Sequence, residues 1–165
     1  MNSGDFREWV IRPALQGVDL WSPVAEELLM LTAAQESKFE FMEQIRGPAL
    51  GFFQIEPTTH HDLWDNFLRF KPALNMKARR WSSAQSIPGL AHPADDELVW
   101  NLRYATVIAR LIYFRVREPM PSVGSTLVDL AGYWKKHYNT PLGAGTVNQA
   151  MDAYRKYVLN RSEID

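Results

Sequence analysis

Cysteine is absent from the 165-residue sequence, which excludes disulfide bonds, thiol catalysis and thiolate metal sites. An excess of charge is absent too, because 18 basic and 19 acidic residues leave a formal net charge of -1. The sequence therefore gives no global electrostatic basis for binding nucleic acid or an anionic membrane surface. We accordingly expect no nucleic-acid partner.

Long uninterrupted hydrophobic runs are also missing. The most apolar stretch, residues 98–116, contains Asn101 and three arginines, which makes it too polar for a membrane-spanning helix. The first residues contain no positively charged segment followed by an apolar one. We therefore expect neither a membrane span nor a secretory signal peptide.

The remaining composition is typical of a globular protein. Hydrophobic residues make up 46% of the chain and charged residues 22%, which provides enough apolar surface for one core. A length of 165 residues favours one domain. We predict a mainly α-helical fold, in a single domain over residues 1–165, with a small β-like or irregular insert near residues 46–57.

Helical periodicity and helix boundary signals recur along most of the chain. The predicted helices cover about residues 6–15, 23–36, 60–69, 96–117, 124–138 and 146–159. Ser22 and Pro23 form a typical helix start, with a capping side chain before proline at the first helical position. Pro13 weakens the first helix, on whose buried face we expect Trp9. Residues 70–95 contain several prolines and are expected to form loops.

The predicted helix at residues 96–117 is the longest of the set. Its sequence is apolar almost all round, which is typical of a central, largely buried helix. Arg103, Arg110 and Arg117 recur every seven residues and are expected to mark one narrow polar stripe.

The insert is predicted where the helical signals stop. Gly47, Pro48 and Gly51 are helix breakers. Residues 52–56 are aromatic and partly alternating, so they are interpreted as a strand or an extended loop that Pro57 ends.

Glu36 is the strongest candidate for a catalytic group. It ends a helix just before a turn, where the negative end of the helix dipole favours a protonated carboxyl. Phe39 and Phe41 are close enough in sequence to desolvate it further. A carboxylic acid that keeps its proton near neutral pH can act as a general acid. The alternative interpretation is a solvated surface carboxylate at a helix end.

Glu56 supplies a second carboxylate beyond the turn. Glycosidic cleavage uses two carboxyl groups on one cleft, of which one protonates the leaving oxygen and the other activates water or supports the developing positive charge. Aromatic rings can stack on sugars, although most such residues belong to cores. Tyr133 and Trp134, before a glycine-rich turn, are the pair that we expect to face the sugar.

Metal ligation is not predicted for His60 and His61. The sequence shows no second ligand group at a useful spacing and no His-Glu-x-x-His pattern, so a turn or a helix start is favoured. The basic run within residues 69–80 is interpreted as a solvated loop face, with binding of an anionic polymer as the alternative. We predict no metal and no cofactor.

Three segments resemble family motifs in the correct order. Glu36–Ser37 matches a Glu-Ser pair at a helix end, and residues 51–58 match a Gly-Leu-Met-Gln motif with its following proline. Residues 131–135 match a later Ala-Tyr-Asn-Ala-Gly motif only loosely. Across about residues 18–158, the chain resembles the lysozyme-like family of peptidoglycan-cleaving domains, of the soluble-lytic-transglycosylase type.

This resemblance implies cleavage of the β-1,4 bond between N-acetylmuramic acid and N-acetylglucosamine in bacterial peptidoglycan. It implies that Glu36 is the general acid and that no metal or cofactor takes part. The glycan strands of peptidoglycan are the implied partner. The residues implied to contact the substrate are Ser37, Phe53, Gln54, Tyr133 and Tyr138.

Glu56 departs from the lytic-transglycosylase pattern. Those enzymes often carry methionine at this position, and the sugar's own groups complete the reaction. Goose-type lysozymes, which are similar in fold, carry an acid there that helps to activate water. The resemblance therefore favours a hydrolysing, inverting muramidase, with Glu36 and Glu56 as its catalytic residues, over a lytic transglycosylase.

Residues 133–146 also resemble proteins of tailed phages and prophages. This implies synthesis in the bacterial cytoplasm and action on the cell wall, either as a virion component beside other virion proteins or after release through a holin-made hole. Two alternatives stay open, because the third motif is altered and Phe52–Phe53 replaces Leu-Met. They are a weak or inactive structural component of a phage particle with the same fold, and an unrelated helical binding module.

Overall fold

The helices of the protein, in a computed structural model, occupy most of the residues that the structure describes, which are 1–44, 46–83, 91–140 and 142–160. They are α1 (Ser3–Phe6), a π-helical turn (Arg7–Ile11), α2 (Arg12–Gly17), α3 (Pro23–Ser37), α4 (Pro57–Asn66), a 3-10 turn (Leu68–Phe70), α5 (Pro72–Arg79), α6 (Glu97–Trp100), α7 (Leu102–Phe114), α8 (Leu127–Trp134), a π-helical turn (Lys135–Asn139), α9 (Val147–Tyr154) and a π-helical turn (Arg155–Leu159). The mainly α-helical fold class is confirmed. Among the described residues, no helix is both long and apolar enough to cross a membrane.

Helix α7 lies at the centre of the fold, as its apolar sequence predicts. Every residue from Tyr104 to Tyr113 is buried. The helix packs against α2, α3, α4 and α5, and the buried apolar residues of these helices belong to one core cluster. Removal of this surface from water is the main force that fixes the helices around α7.

The expected long helix at residues 96–117 is divided at Asn101, and that prediction was wrong. Asn101 leaves the helical backbone region, with φ -97° and ψ 82°, and its Oδ1 accepts the amide N–H of Tyr104 at 3.1 Å. An asparagine side chain offers the backbone this alternative to the helical bond, so it begins α7 instead of continuing α6. With 15 residues, α3 is longer than α7, which has 13.

The expected polar stripe of arginines is also corrected. Arg103 is exposed and Arg117 lies beyond the end of α7, but Arg110 is only 6% exposed. Its Nε donates to the carbonyl oxygen of Leu20 at 3.1 Å. A long guanidinium side chain can cross a packed interface to a backbone acceptor, which the seven-residue spacing does not reveal.

The first helical segment runs from Ser3 to Gly17 without a break. Pro13 stands in the first turn of α2, directly after the π-helical turn, where a missing backbone N–H is tolerated. Phe6 and Ile11 face the core, whereas Trp9 is 66% exposed. The expectation that Trp9 is buried was therefore wrong, because the π-helical turn changes which residues share a face.

The expected loop at residues 70–95 contains a helix, α5. Pro72 occupies its first turn, so this proline starts a helix and is not a loop signal. Residues 84–90 of the same segment, with Pro88 and Gly89, lie outside the described residues.

The two C-terminal helices form where they were predicted. Thr126 and Thr146 each make a capping box with the residue three positions later, which fixes the start of α8 and of α9. The insert at residues 46–57 is irregular, as expected, and its only regular pairing among the described residues is the isolated bridges of Leu50 with Glu43 and Ile55. These elements bring the insert, the end of α3 and the π-helical turn after α8 to one cleft.

Candidate active site

Helix α3 ends one residue after Glu36, in a tight left-handed turn. Lys38 and Phe39 both have φ of 57°. The hydroxyl of Ser37 donates to the carbonyl oxygen of Ala33 at 3.0 Å, and the Ser37 carbonyl accepts two backbone N–H groups from beyond the turn. These bonds satisfy the end of the helix and hold Glu36 at the point where the chain turns away.

The Glu36 carboxyl faces a cleft of about 560 Å³. The indole Nε1–H of Trp134 donates to Glu36 Oε1 at 3.0 Å. Burial raises the pKa of Glu36 to about 7, although the Trp134 bond acts in the opposite direction by favouring the carboxylate. Near neutral pH, Glu36 can therefore hold a proton that an ordinary carboxylate would have lost.

The phenylalanines expected to desolvate Glu36 have different positions. Phe41 is an exposed residue on the wall of the same cleft. Phe39 is buried in the core, with its ring 5.4 Å from that of Phe6. Of the two, Phe41 is therefore the one that lies at the cleft.

Gln54 and Glu56 line the cleft together with Glu36. Leu50 and Ile55 exchange two backbone hydrogen bonds of 3.0 Å, which close the turn that carries Gln54. Gln54 has a positive φ of 46°, and its Nε2 donates to the Gly51 carbonyl oxygen at 2.9 Å. Glu56 is the residue just before α4, and its exposed carboxylate accepts the Thr58 hydroxyl at 3.4 Å.

Gly51 allows this turn to approach α6 closely. It has a φ of 72°, and a Cβ there would lie 1.9 Å from the backbone oxygen of Leu98. Any side chain would collide with backbone that cannot move aside. The turn that presents Gln54 and Glu56 is thus in direct main-chain contact with the helix that leads into α7.

Tyr138 and the glycine-rich turn after it form another part of the cleft wall. The Tyr138 hydroxyl donates to the Phe53 carbonyl oxygen at 2.8 Å, and its ring stacks on that of Tyr113 with centroids 5.1 Å apart. Lys135 Nζ donates to Asn139 Oδ1 at 2.8 Å and to the Gly143 carbonyl oxygen at 2.7 Å. The wall is thereby bonded both to the insert and within itself.

Two of the five predicted substrate residues, Gln54 and Tyr138, line the cleft. The predictions for the other three are corrected. The side chains of Ser37 and Phe53 are fully buried and cannot contact a substrate. Tyr133 donates its hydroxyl to the Glu118 carbonyl oxygen at 2.8 Å and lines a different surface pocket.

Trp134 has the position that the third motif led us to expect for Tyr133. It is fully buried, so it does not stack on a sugar, but its N–H reaches Glu36. A shift of one residue on a helix turns a side chain by about 100°, which explains the mistaken assignment. The signal that was available is the four-residue spacing of Trp134 and Tyr138, which places both on one face.

Several polar residues of the cleft were not predicted from the sequence. Their shared feature is an amide, ammonium or carboxylate group, and they are Gln35, Lys38, Glu43, Gln44 and Asn139. No periodicity singles them out, because they come from segments that only the tertiary fold brings together.

A separate cluster of possible metal ligands lies on α4. His60 and His61 are helical, as the favoured interpretation predicted, but they meet His92 and Asp95. Asp95 Oδ1 is 2.7 Å from His60 Nδ1 and 3.0 Å from His61 Nε2. Sequence reasoning missed this second pair of ligands because more than thirty residues separate it from the first.

Comparisons of the chain with protein-family models, with curated proteins and with solved structures found no match. The resemblance noted from the motifs around Glu36 and Gln54 therefore stays a prediction. The chemistry of the cleft has to be inferred from its own side chains.

Proposed function

We propose that this protein cleaves the β-1,4 glycosidic bond between N-acetylmuramic acid and N-acetylglucosamine in peptidoglycan, with Glu36 as the general acid. The observation that carries the proposal is a partly buried carboxyl with a pKa of about 7 on an open polar cleft. A carboxylic acid of this kind can protonate a glycosidic oxygen at neutral pH.

The Trp134 bond defines which oxygen of Glu36 delivers the proton. Because the indole N–H already bonds Oε1, the proton resides on Oε2. When it moves to the glycosidic oxygen, the C1–O bond breaks and Glu36 becomes a carboxylate. The same indole N–H then stabilises the new negative charge.

Glu56 fits the role of general base in a hydrolytic reaction. It would accept a proton from water as the water oxygen bonds C1 of the muramic acid residue, with inversion at that carbon. The exposure of Glu56 on the same cleft as Glu36 supports this route. The other route is a lytic transglycosylase reaction, in which a hydroxyl of the muramic acid itself attacks C1 and a 1,6-anhydro ring forms.

The shape and lining of the cleft suit a sugar polymer. Amide groups and the backbone of the glycine-rich turn offer hydrogen bonds to hydroxyl and acetamido groups, and Phe41 offers an aromatic face. A second depression of about 490 Å³ shares Gln35 and Lys38 with the cleft and extends along α9. Together they provide room for several sugars of one glycan strand.

The cell-wall setting belongs to the same proposal. The likeness of residues 133–146 to phage and prophage proteins supports synthesis in an infected bacterium. The protein would then act on the wall as part of a virion, beside other virion proteins, or after release through a holin-made hole.

Mass spectrometry of the products released from purified peptidoglycan tests the proposal. Wild-type protein is compared with Glu36→Gln and with Glu40→Gln, an exposed carboxylate on the same turn that does not line the cleft. We expect product from wild type and Glu40→Gln and none from Glu36→Gln. Muramic acid with a free reducing end supports Glu56 as base, and products lighter by one water support a transglycosylase.

Absence of any Glu36-dependent product would refute the enzymatic proposal. It would favour the structural component of a phage particle, for which the altered third motif is the sequence feature. Binding of the inactive protein to peptidoglycan, measured by co-sedimentation, would then separate that role from an unrelated binding module.

A further inference from the structure

We propose that His60, His61, His92 and Asp95 form a binding site for one transition-metal ion of the Zn²⁺ type. The site would be structural and lies outside the cleft described above. It joins α4 to the segment that leads into α6, and it does not depend on the proposed cleavage reaction.

The four side chains already lie at nearly the separations that a metal requires. One ligand atom from each residue lies within 4.8 Å of the other three. Zinc–nitrogen distances of about 2.0–2.1 Å imply separations of about 3.4 Å between the ligands of a tetrahedral ion. Small rotations of the side chains would close the site around one ion.

The donor set also specifies the class of metal. Three imidazoles and one carboxylate are typical ligands of Zn²⁺ and its neighbours in the first transition row. Magnesium and calcium require mostly oxygen ligands. This cluster, with its three nitrogens, therefore favours Zn²⁺ over either of them.

The ring of His60 is oriented by partners on its far side. His60 is fully buried, and its Nε2 is 2.6 Å from the Tyr104 hydroxyl and 3.2 Å from the indole nitrogen of Trp64. These contacts leave Nδ1 directed at Asp95. Metal-ligating histidines commonly donate their other ring N–H to an outer acceptor. The Tyr104 hydroxyl, which also accepts the Trp64 indole N–H at 3.0 Å, is placed to accept this bond.

His61 and His92 are both partly exposed, and each has a ligand atom within 4.8 Å of one from Asp95. Their rings are stacked, with centroids 4.1 Å apart and planes inclined by 22°. His61 Nε2 lies 3.0 Å from each oxygen of Asp95. The Nδ1 of His92 is engaged by the Pro93 carbonyl oxygen at 2.9 Å, so Nε2 is the nitrogen left to bind a metal.

A four-ligand site has a structural consequence. With four protein ligands, a tetrahedral ion has no open position for a substrate, which distinguishes structural from catalytic zinc. The ion would fasten residues 92–95 to α4, one turn after Glu56. The backbone of α6 that follows is the surface on which Gly51 packs. Metal binding would thus link α4 to the segment before α6, the two elements that the insert adjoins.

Titration of the full-length, metal-stripped protein with ZnCl₂ tests this inference. We compare wild type with His61→Ala and His92→Ala, which are partly exposed positions, and with His137→Gln, the one histidine of the sequence outside the cluster. Calorimetry should give one Zn²⁺ per chain for wild type and His137→Gln. Each cluster variant should bind at least about tenfold more weakly, since even loss of an outer partner typically has this effect.

Two further readouts separate loss of a ligand from loss of the fold. Circular dichroism should show helical content equal to wild type in both alanine variants without metal. Cobalt(II) should give the strong visible absorption of a four-coordinate ion with wild type and not with His92→Ala. Failure of wild type to bind one equivalent of Zn²⁺, or equal binding by wild type and folded His92→Ala, would overturn the inference.

Discussion

Replacement of Glu36 by glutamine should stabilise the protein at alkaline pH. The folded protein holds the pKa of Glu36 at about 7, whereas the ordinary value is 4.5. A carboxyl whose pKa is raised by folding binds its proton more tightly in the folded state. The protein therefore loses stability as the pH rises from the pKa of Glu36 in the unfolded chain to its pKa in the folded protein. The loss is complete above about pH 7.

The expected size of this effect follows from the two pKa values. The difference between 7 and 4.5, at about 1.4 kcal/mol for each pH unit, corresponds to about 3 kcal/mol when the carboxyl is fully ionised. Glutamine keeps an oxygen that can accept the Trp134 N–H, and it places no charge in this partly buried position. The difference in the free energy of unfolding between Glu36→Gln and wild type should therefore be about 2 to 3 kcal/mol larger at pH 8 than at pH 5.

Urea unfolding at the two pH values measures the difference. Glu40→Gln serves as the control for removal of a charge from the same turn, and its difference from wild type should be small at both values. A Glu36→Gln difference that is the same at pH 5 and at pH 8 would show that folding does not raise the pKa of Glu36. The basis for its acid role would then be lost.

Three further predictions concern the surroundings of Glu36. Trp134→Phe removes the bond that favours the carboxylate, so the pKa of the general acid should rise and the alkaline limb of the pH–activity profile should move upward by about one pH unit. Gly51→Ala should destabilise the protein by more than about 3 kcal/mol in urea unfolding, because the strain of a positive φ and a collision with backbone both oppose the alanine side chain. Gly124 also has a positive φ but open space around it, so the control Gly124→Ala should lose only about 1 kcal/mol. Tyr138→Phe should lower kcat/KM about tenfold by releasing the cleft wall, while Tyr133→Phe should stay within about twofold of wild type; equal effects would contradict the placement of the two rings.

The parts of the fold that local signals determine could be predicted from the sequence. Ser22 accepts the backbone N–H of Ala25, and Pro23 begins α3, as the capping pattern indicated. The boundary at Asn101 was missed because an asparagine inside an apolar run resembles a tolerated polar residue. Its role depends on two acceptors for its side-chain amide, each at 2.8 Å. One is the Glu97 carboxylate, one turn earlier, and the other is the carbonyl oxygen of Trp81, which is distant in the sequence.

The candidate site was predictable in part, because local signals mark some of its segments but not the long-range contacts between them. Glu36, Gln54 and Glu56 lie on segments whose ends are marked by helix breakers, but their common cleft was expected only from the resemblance of the motifs to those of a known family. The bond between Trp134 and Glu36 joins residues 98 positions apart, and its choice over Tyr133 depends on helix rotation. The histidine cluster depends on one long-range approach between α4 and residues 92–95, which periodicity does not encode.

The contact between Gly51 and Leu98 has a consequence for how this protein can tolerate sequence change. The insert meets α6 backbone to backbone, so at this contact no side chain stands between α6 and the turn that carries Gln54. This one contact is therefore less sensitive to side-chain substitution than the surrounding packing is, and it depends on the hydrogen atom that glycine has in place of a side chain.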